Sequence, residues 1–220
     1  METAKKRIFV VDDHPIVRQG LSLLINQEAD MTVCGSAKDA CSALEAIASL
    51  RPDLLILDIS LDGPDGLDLL KSVRLQDASI PVLILSMHDE SLYAERVLRA
   101  GARGYVMKQA ATDGLLGAMR KILGGGIYVS DRMAARILLQ FAGHVGHPGR
   151  SHMEDLSDRE LEVFRLIGKG HGTREIAELL HLSVKTVESY QAHIKEKLSL
   201  KNSRELVQHA VQWLTSEKVQ

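Results

Sequence analysis

The chain has 220 residues, 45% of them hydrophobic, and a formal net charge of -2, which is room for two domains with a core each. Near-neutral charge excludes a globally polybasic nucleic-acid binder, so any such surface must be local; no run of 18 apolar residues and no signal-like stretch occurs, so a soluble cytoplasmic protein with no membrane contact is expected. Cys34 and Cys41 form no CxxC and read as small packing residues of a reducing compartment.

The first half alternates short apolar runs with amphipathic helical patterns. Strands are expected at 8–11, 31–35, 54–57, 82–85 and 105–107, and helices at 15–26, 38–49, 67–75, 92–100 and 115–123. Five such units predict an α/β fold, a doubly wound five-stranded parallel sheet covered on both faces. Gly101, Gly104 and the triplet 124–126 fit helix ends. The run 54–57 is Leu-Leu-Ile-Leu, bounded by Pro52 and a cluster of Gly, Asp and Pro. It reads as a strand buried on both sides, with Asp58 at its carboxyl end, the edge where ligands collect in open α/β sheets.

The other strand ends supply Asp12 and Asp13, Ser86 and Lys108. Three carboxylates converging in one crevice repel one another, and a hard divalent cation such as Mg²⁺ relieves this; Lys108 adds a cation and Ser86 a hydroxyl donor. The set suits a phosphoryl group beside a metal, with catalysis by positioning and charge neutralisation. Taken singly, each residue has a plainer reading, and Asp13 could cap the helix that opens at Pro15. His14 and His88 lack paired ligand spacing and read as solvated loop residues.

The motifs VVDDHP, LLILDIS, VLILSMHDE and GARGYVMK match, in content, order and spacing, the receiver domains of two-component response regulators. The resemblance covers about the first 124 residues. It implies a flavodoxin-like receiver fold, Asp58 as phosphoacceptor, and Mg²⁺ held by Asp12, Asp13, Asp58 and the backbone carbonyl of Ser60. Ser86 and Lys108 would contact the phosphoryl oxygens, and Tyr105 would turn inward as Ser86 moves; the alternative for Tyr105 is an ordinary edge-strand aromatic. Two positions depart from the common receiver pattern: Lys108 precedes Gln109 rather than proline, which makes a trans or mobile loop the expectation, and Asp62 adds a charge near the acceptor.

Residues 131–141 carry Met133, Ile137, Leu138 and Phe141 at helical spacing, and the stretch AGHVGHPGRSH after them lacks periodicity. A linker helix and a flexible tether are expected over 125–153. His144, His147 and His152 lack the spacing of a closed metal site.

Ser157 to Glu160 spell a capping box, S-x-x-E, ahead of Leu161, Val163, Phe164 and Ile167. A second helix, 174–180, capped by Thr173, is separated by a three-residue turn from a third, 184–198, with Val184, Val187, Ile194 and Leu198 inward. This is helix-turn-helix spacing in a small all-α domain over 154–220. The third helix and its flanks carry Lys185, Lys195, Lys197, Lys201 and Arg204 against Glu188 and Glu196, a local +3. Lys185, Glu188, Ser189 and Ala192 can reach a major groove, and Thr186, Lys195 and Lys201 suit phosphates. Glu188 could instead pair with Lys185. A last helix from Asn202 carries Leu206, Val207, Ala210, Trp213 and Leu214.

From about 154 to 219 the sequence resembles the LuxR-type four-helix DNA-binding domain. Together the two halves resemble the NarL/FixJ family of response regulators. The family implies a cytoplasmic transcription factor phosphorylated by a sensor histidine kinase and binding double-stranded DNA as a homodimer. Thr186, Glu188, Ser189 and Ala192 would lie on the DNA face, and the last helix near Val207, Ala210 and Trp213 would supply a dimer contact; Trp213 could equally be a core residue. Action independent of phosphorylation is the regulatory alternative. A Mg²⁺-dependent phosphohydrolase is the enzymatic one, but the usual D-x-D pair and Gly-rich phosphate loop are missing after the first strand.

Overall fold

A computed structural model of the protein describes residues 4–61, 66–87, 89–141 and 156–218. The chain divides into two compact units, Met1–Gly146 and His147–Gln220, with the linker helix in the first.

The first unit runs β1 (Lys6–Val11), α1 (Pro15–Asn26), β2 (Met31–Ala37), α2 (Ala40–Leu50), β3 (Leu54–Leu57), α3 (Gly66–Gln76), β4 (Val82–Ser86), α4 (Glu90–Arg99), β5 (Gly104–Met107), α5 (Ala111–Leu123) and α6 (Asp131–Phe141). A 3₁₀ turn, Lys108–Ala110, joins β5 to α5. The strands are parallel in the order β2-β1-β3-β4-β5. Strand order reverses between β1 and β3, so their carboxyl ends flank a crevice.

The continuous apolar runs follow from this burial. Ile8, Val10, Leu54, Ile56, Leu83, Leu85 and Val106 pack with Leu21 and Ile25 of α1 and with Leu115, Met119 and Ile122 of α5. Residues at alternate positions point to the opposite face, and there Phe9, Val11, Leu55, Leu57, Ile84 and Tyr105 are buried too. The central strands therefore lack the polar alternation of a strand with one wet face, whereas the edge strand β2 is mostly half-buried.

Gly101 and Gly125 have left-handed backbones, φ +102° and +88°, and end α4 and α5 as the sequence suggests. Gly104 departs from that reading, because it lies within β5. A Cβ there would stand 2.8 Å from the Tyr128 carbonyl oxygen and 2.8 Å from Ile122 Cδ1. The crowding arises because the chain returns along β5 after α5: the Tyr128 N–H donates to Arg103 O and the Tyr105 N–H to Tyr128 O, at 3.0 and 2.9 Å. The Ser130 N–H then donates to Glu90 Oε1 at 2.8 Å, and α6 packs against α4.

In the second unit α7 (Asp158–Gly168), α8 (Thr173–Leu179), α9 (Val184–Lys197) and α10 (Ser203–Lys218) surround Val163, Phe164, Ile167, Val187, Ile194 and Leu206. Ser157 Oγ accepts from the Glu160 N–H while Glu160 Oε2 accepts from the Ser157 N–H, forming the expected capping box. Two local readings are corrected. Gly172, not Thr173, caps α8, with its N–H donating to Glu175 Oε2 at 2.9 Å. Val184 is 40% exposed, because the first helical residue of α9 has no neighbouring turn to pack under. Between α8 and α9, His181 takes a left-handed backbone, φ +54°. Ser183 caps α9, its Oγ accepting from the Thr186 N–H.

Candidate functional site

The carboxyl ends of β1, β3, β4 and β5 bring Asp12, Asp58, Ser86 and Lys108 together, and the first three are essentially buried. Asp58 is carried by the last rung of the sheet, where its N–H donates to Val11 O at 2.8 Å. Lys108, beyond β5, reaches 50 residues back. Its Nζ lies 2.6 Å from Asp58 Oδ2 and 2.7 Å from Asp12 Oδ2, while Asp58 Oδ1 accepts from the Ser60 N–H at 2.8 Å. Arg18 of α1 ties the first loop down, its guanidinium donating to Asp12 O at 2.5 Å.

Burial is the largest influence on Asp58 and pushes its carboxyl above the ordinary value; Lys108 and the Ser60 N–H oppose it, and Asp12 adds to it. For Lys108, burial works against the ammonium, but the Asp58 and Asp12 carboxylates outweigh it and hold the proton more tightly than usual. Two of the three carboxylates share one lysine, so negative charge remains in excess.

Ligand-type atoms of Asp12, Asp13, His14 and Asp58 all lie within 4.8 Å of one another. Carboxylate oxygens in that number suit a hard divalent cation. His14 is the exposed loop residue that the sequence suggests, and its Nδ1 stands 2.5 Å from Asp13 Oδ1. His14 also occupies the position before α1, so Asp13 is not the cap. Tyr105 is buried on β5. All peptide bonds described are trans, Lys108 to Gln109 included. Asp62, His88, His144, His147 and His152 lie outside the described residues.

In the second unit Lys185, Glu188, Ser189, Ala192 and Lys201 are exposed, while Thr186 and Lys195 are half-buried. The Thr186 hydroxyl lies 2.7 Å from Ser183 Oγ, so this residue also secures the start of α9. Lys197 does not belong to the free basic surface: its Nζ is 2.6 Å from Glu160 Oε2, a buried partner on α7. Ala210 is a core residue and not a surface contact, since α10 meets α7 there; a Cβ at Gly168 would stand 2.6 Å from the Ala210 carbonyl oxygen. Val207 and Val211 are the exposed apolar residues of α10. Trp213 is partly buried and packs at a tilt on Phe164, ring centroids 5.7 Å apart.

Comparison with known proteins identifies both domains. Residues 8–120 match the response regulator receiver domain, and residues 154–210 match the bacterial regulatory proteins of the luxR family. The oxygen regulatory protein NreC of Staphylococcus carnosus is 38% identical over 209 residues, 93% of this chain and 96% of that protein. A two-component response regulator of the LuxR family from Aurantimonas superimposes with a TM-score of 0.59 at 34% identity, covering 63% of this chain and 99% of that one. RcsB from Salmonella enterica serovar Typhimurium, solved bound to the rprA promoter with the phosphomimetic BeF3-, gives 0.58 at 26% identity over 94% and 99% of the two chains. Among the described residues no helix is long and apolar enough to cross a membrane. With a receiver domain in its first half and a LuxR-type DNA-binding domain in its second, the chain belongs to the DNA-binding response regulators of two-component systems.

Proposed function

We propose that Asp58 is the phosphoacceptor of this transcription regulator and that its phosphorylation controls pairing of the chain on DNA. The observation that carries the reading is the buried Asp58 carboxylate at the end of β3, held between Lys108 and the Ser60 N–H. A carboxylate oxygen of Asp58 attacks the phosphorus of a phosphohistidine on a sensor histidine kinase. The O–P bond forms as the N–P bond breaks, and the electron pair leaves with the imidazole nitrogen. Lys108 and Ser86 would contact the transferred oxygens, so that positioning and charge neutralisation supply the catalysis. Mg²⁺ held by Asp12, Asp13, Asp58 and the Ser60 carbonyl would neutralise phosphoryl charge. Water later hydrolyses the acyl phosphate, releasing phosphate and restoring the Asp58 carboxylate.

Phosphorylation removes the Asp58 carboxylate from Lys108 and places new anionic oxygens beside Ser86, the change that Tyr105 on β5 would read. In the second domain, the exposed Lys185, Glu188, Ser189 and Ala192 would face the major groove, with Thr186, Lys195 and Lys201 on phosphates. Val207 and Trp213 on α10 are the dimer contacts proposed for the DNA-bound homodimer, which works in the cytoplasm. Receiver, tether and reader would occupy residues 1–124, 125–153 and 154–220.

The test is a phosphate-affinity gel of the full chain with acetyl phosphate, with and without Mg²⁺, beside Asp58→Ala, followed by sizing chromatography. A Mg²⁺-dependent shift lost in the variant, with movement toward dimer, supports the reading. An unshifted protein with intact DNA binding retires phosphorylation as the control.

A further inference from the structure

Two helices of the second domain begin with a carboxylate supplied from within: Glu160 accepts from the Ser157 N–H and Glu175 from the Gly172 N–H. The linker helix α6 begins differently. Ser130 caps it, its Oγ accepting from the Met133 N–H at 3.1 Å and its carbonyl from the Ala134 N–H at 2.9 Å. The third helical residue, where a capping box places Glu or Gln, is Met133, and it is buried. The carboxylate comes instead from another helix. Glu90, the first residue of α4, accepts from the Ser130 N–H at 2.8 Å. A helix of 11 residues is marginal by itself, and Leu138 and Leu139 toward its far end are exposed. Among the described side chains of α6 only Met133 is fully buried, so the helix is held at its start.

A second anchor lies two residues before the cap, where Tyr128 O accepts from the Tyr105 N–H at 2.9 Å. Each anchor adjoins a residue of the phosphoryl site. Glu90 follows Ser86 by four residues, across the loop that leaves β4, and Tyr105 is the side chain proposed to read Ser86. We propose that α6 is a strap fastened to α4 and β5 while Lys108 pairs with the Asp58 carboxylate, and that phosphorylation loosens it. The proposal rests on the phosphoacceptor reading given above. Both anchors coexist with the Lys108 Nζ to Asp58 Oδ2 pair at 2.6 Å, which phosphorylation would break. A shift of about 1 Å in Glu90 or Tyr105 takes bonds of this length beyond the range in which they hold. With its start unfastened α6 unwinds, because the first turn is the costly part of a short helix. As a helix the segment spans about 16 Å, and unwound it reaches up to about 40 Å. The DNA-binding domain gains that reach.

The experiment follows hydrogen exchange by mass spectrometry over residues 131–141 of the full chain, with 91–99 of α4 as an internal control. Wild type, Glu90→Ala and Glu90→Gln are compared before and after treatment with acetyl phosphate and Mg²⁺, modification being read on a phosphate-affinity gel. Glutamine keeps the acceptor oxygen, as it does in a capping box. Asp89 still caps α4 in both variants, accepting from the Ser91 N–H at 2.9 Å. The expected result is exchange over 131–141 about 5-fold faster in Glu90→Ala and close to wild type in Glu90→Gln. Phosphorylated wild type should match unmodified Glu90→Ala, and phosphorylating Glu90→Ala should add little. Unchanged exchange in Glu90→Ala overturns the strap, and an equal rise over 91–99 in that variant overturns it in favour of a general loosening of α4. Phosphorylated wild type exchanging like the unmodified chain overturns the coupling while leaving the phosphoacceptor standing. A chain that takes no phosphate overturns the phosphoacceptor reading, and the coupling with it.

Discussion

Glu160→Ala should unfold the DNA-binding domain well below the temperature at which wild type melts. The Glu160 side chain, 4% exposed, accepts from Lys197 Nζ at 2.6 Å and from the Ser157 N–H at 2.7 Å. Losing its half of the capping box costs about 1 kcal/mol, and losing one buried methylene about 0.8 kcal/mol. The Lys197 ammonium is 38% exposed, so solvent screening limits that bond to less than about 1 kcal/mol. Together these amount to about 2 to 3 kcal/mol, a fall of roughly 10 to 20 °C in Tm for a domain this small. Trp213, the chain's one tryptophan, packs on Phe164 within this domain, so its fluorescence reports the transition separately from the receiver. A fall of less than about 3 °C would refute the assignment of Glu160 as the joint between α7 and α9.

The same carboxylate predicts an acid limit. Burial alone would raise the Glu160 pKa, but Lys197 and the Ser157 N–H outweigh it and hold it below the ordinary 4.5. A depressed folded-state pKa contributes stability that is full above 4.5 and is lost as pH falls through the folded value. Trp213-monitored melts should therefore weaken below that point in wild type, and less so in Glu160→Gln. Gly66→Ala would place a Cβ 2.4 Å from Ile59 Cα and 2.8 Å from Asp58 O, forcing the acceptor loop outward; a loss of about 1 to 3 kcal/mol in receiver urea melts is expected, with slower phosphorylation by acetyl phosphate. Gly104→Ala should push Tyr128 off β5, seen as faster hydrogen exchange at the Tyr105 and Tyr128 amides, while unchanged exchange would show that Ile122 alone yields. On the basic surface, Lys201→Ala should lower the salt slope of DNA binding by about 1. Lys197→Ala should lower the Tm and leave that slope unchanged.

Much of this architecture was legible in the chain itself. The runs at 8–11 and 54–57 are continuous because both sheet faces are covered, and a period-free apolar run of four is what such burial requires. Asp12, Asp58, Ser86 and Lys108 could be gathered at one edge because parallel strands all end there. The capping box at Ser157 was readable because its partners are three residues apart.

What the sequence left open was the choice among partners of equal chemistry. Lys197 looked like one more cation for DNA, but the crossing of α9 over α7 gives it to Glu160, 37 residues away. Ala210 shared the apolar stripe of Val207, and only the close approach of α10 to Gly168 buries one and exposes the other. Gly104 looked like a helix terminator until the return of Tyr128 along β5 explained it as a site with no room for a Cβ. Local pattern determined which segments are strands and helices and which strand ends carry charge; long-range packing decided which charge meets which, because that depends on crossing points and side-chain directions that no periodicity encodes.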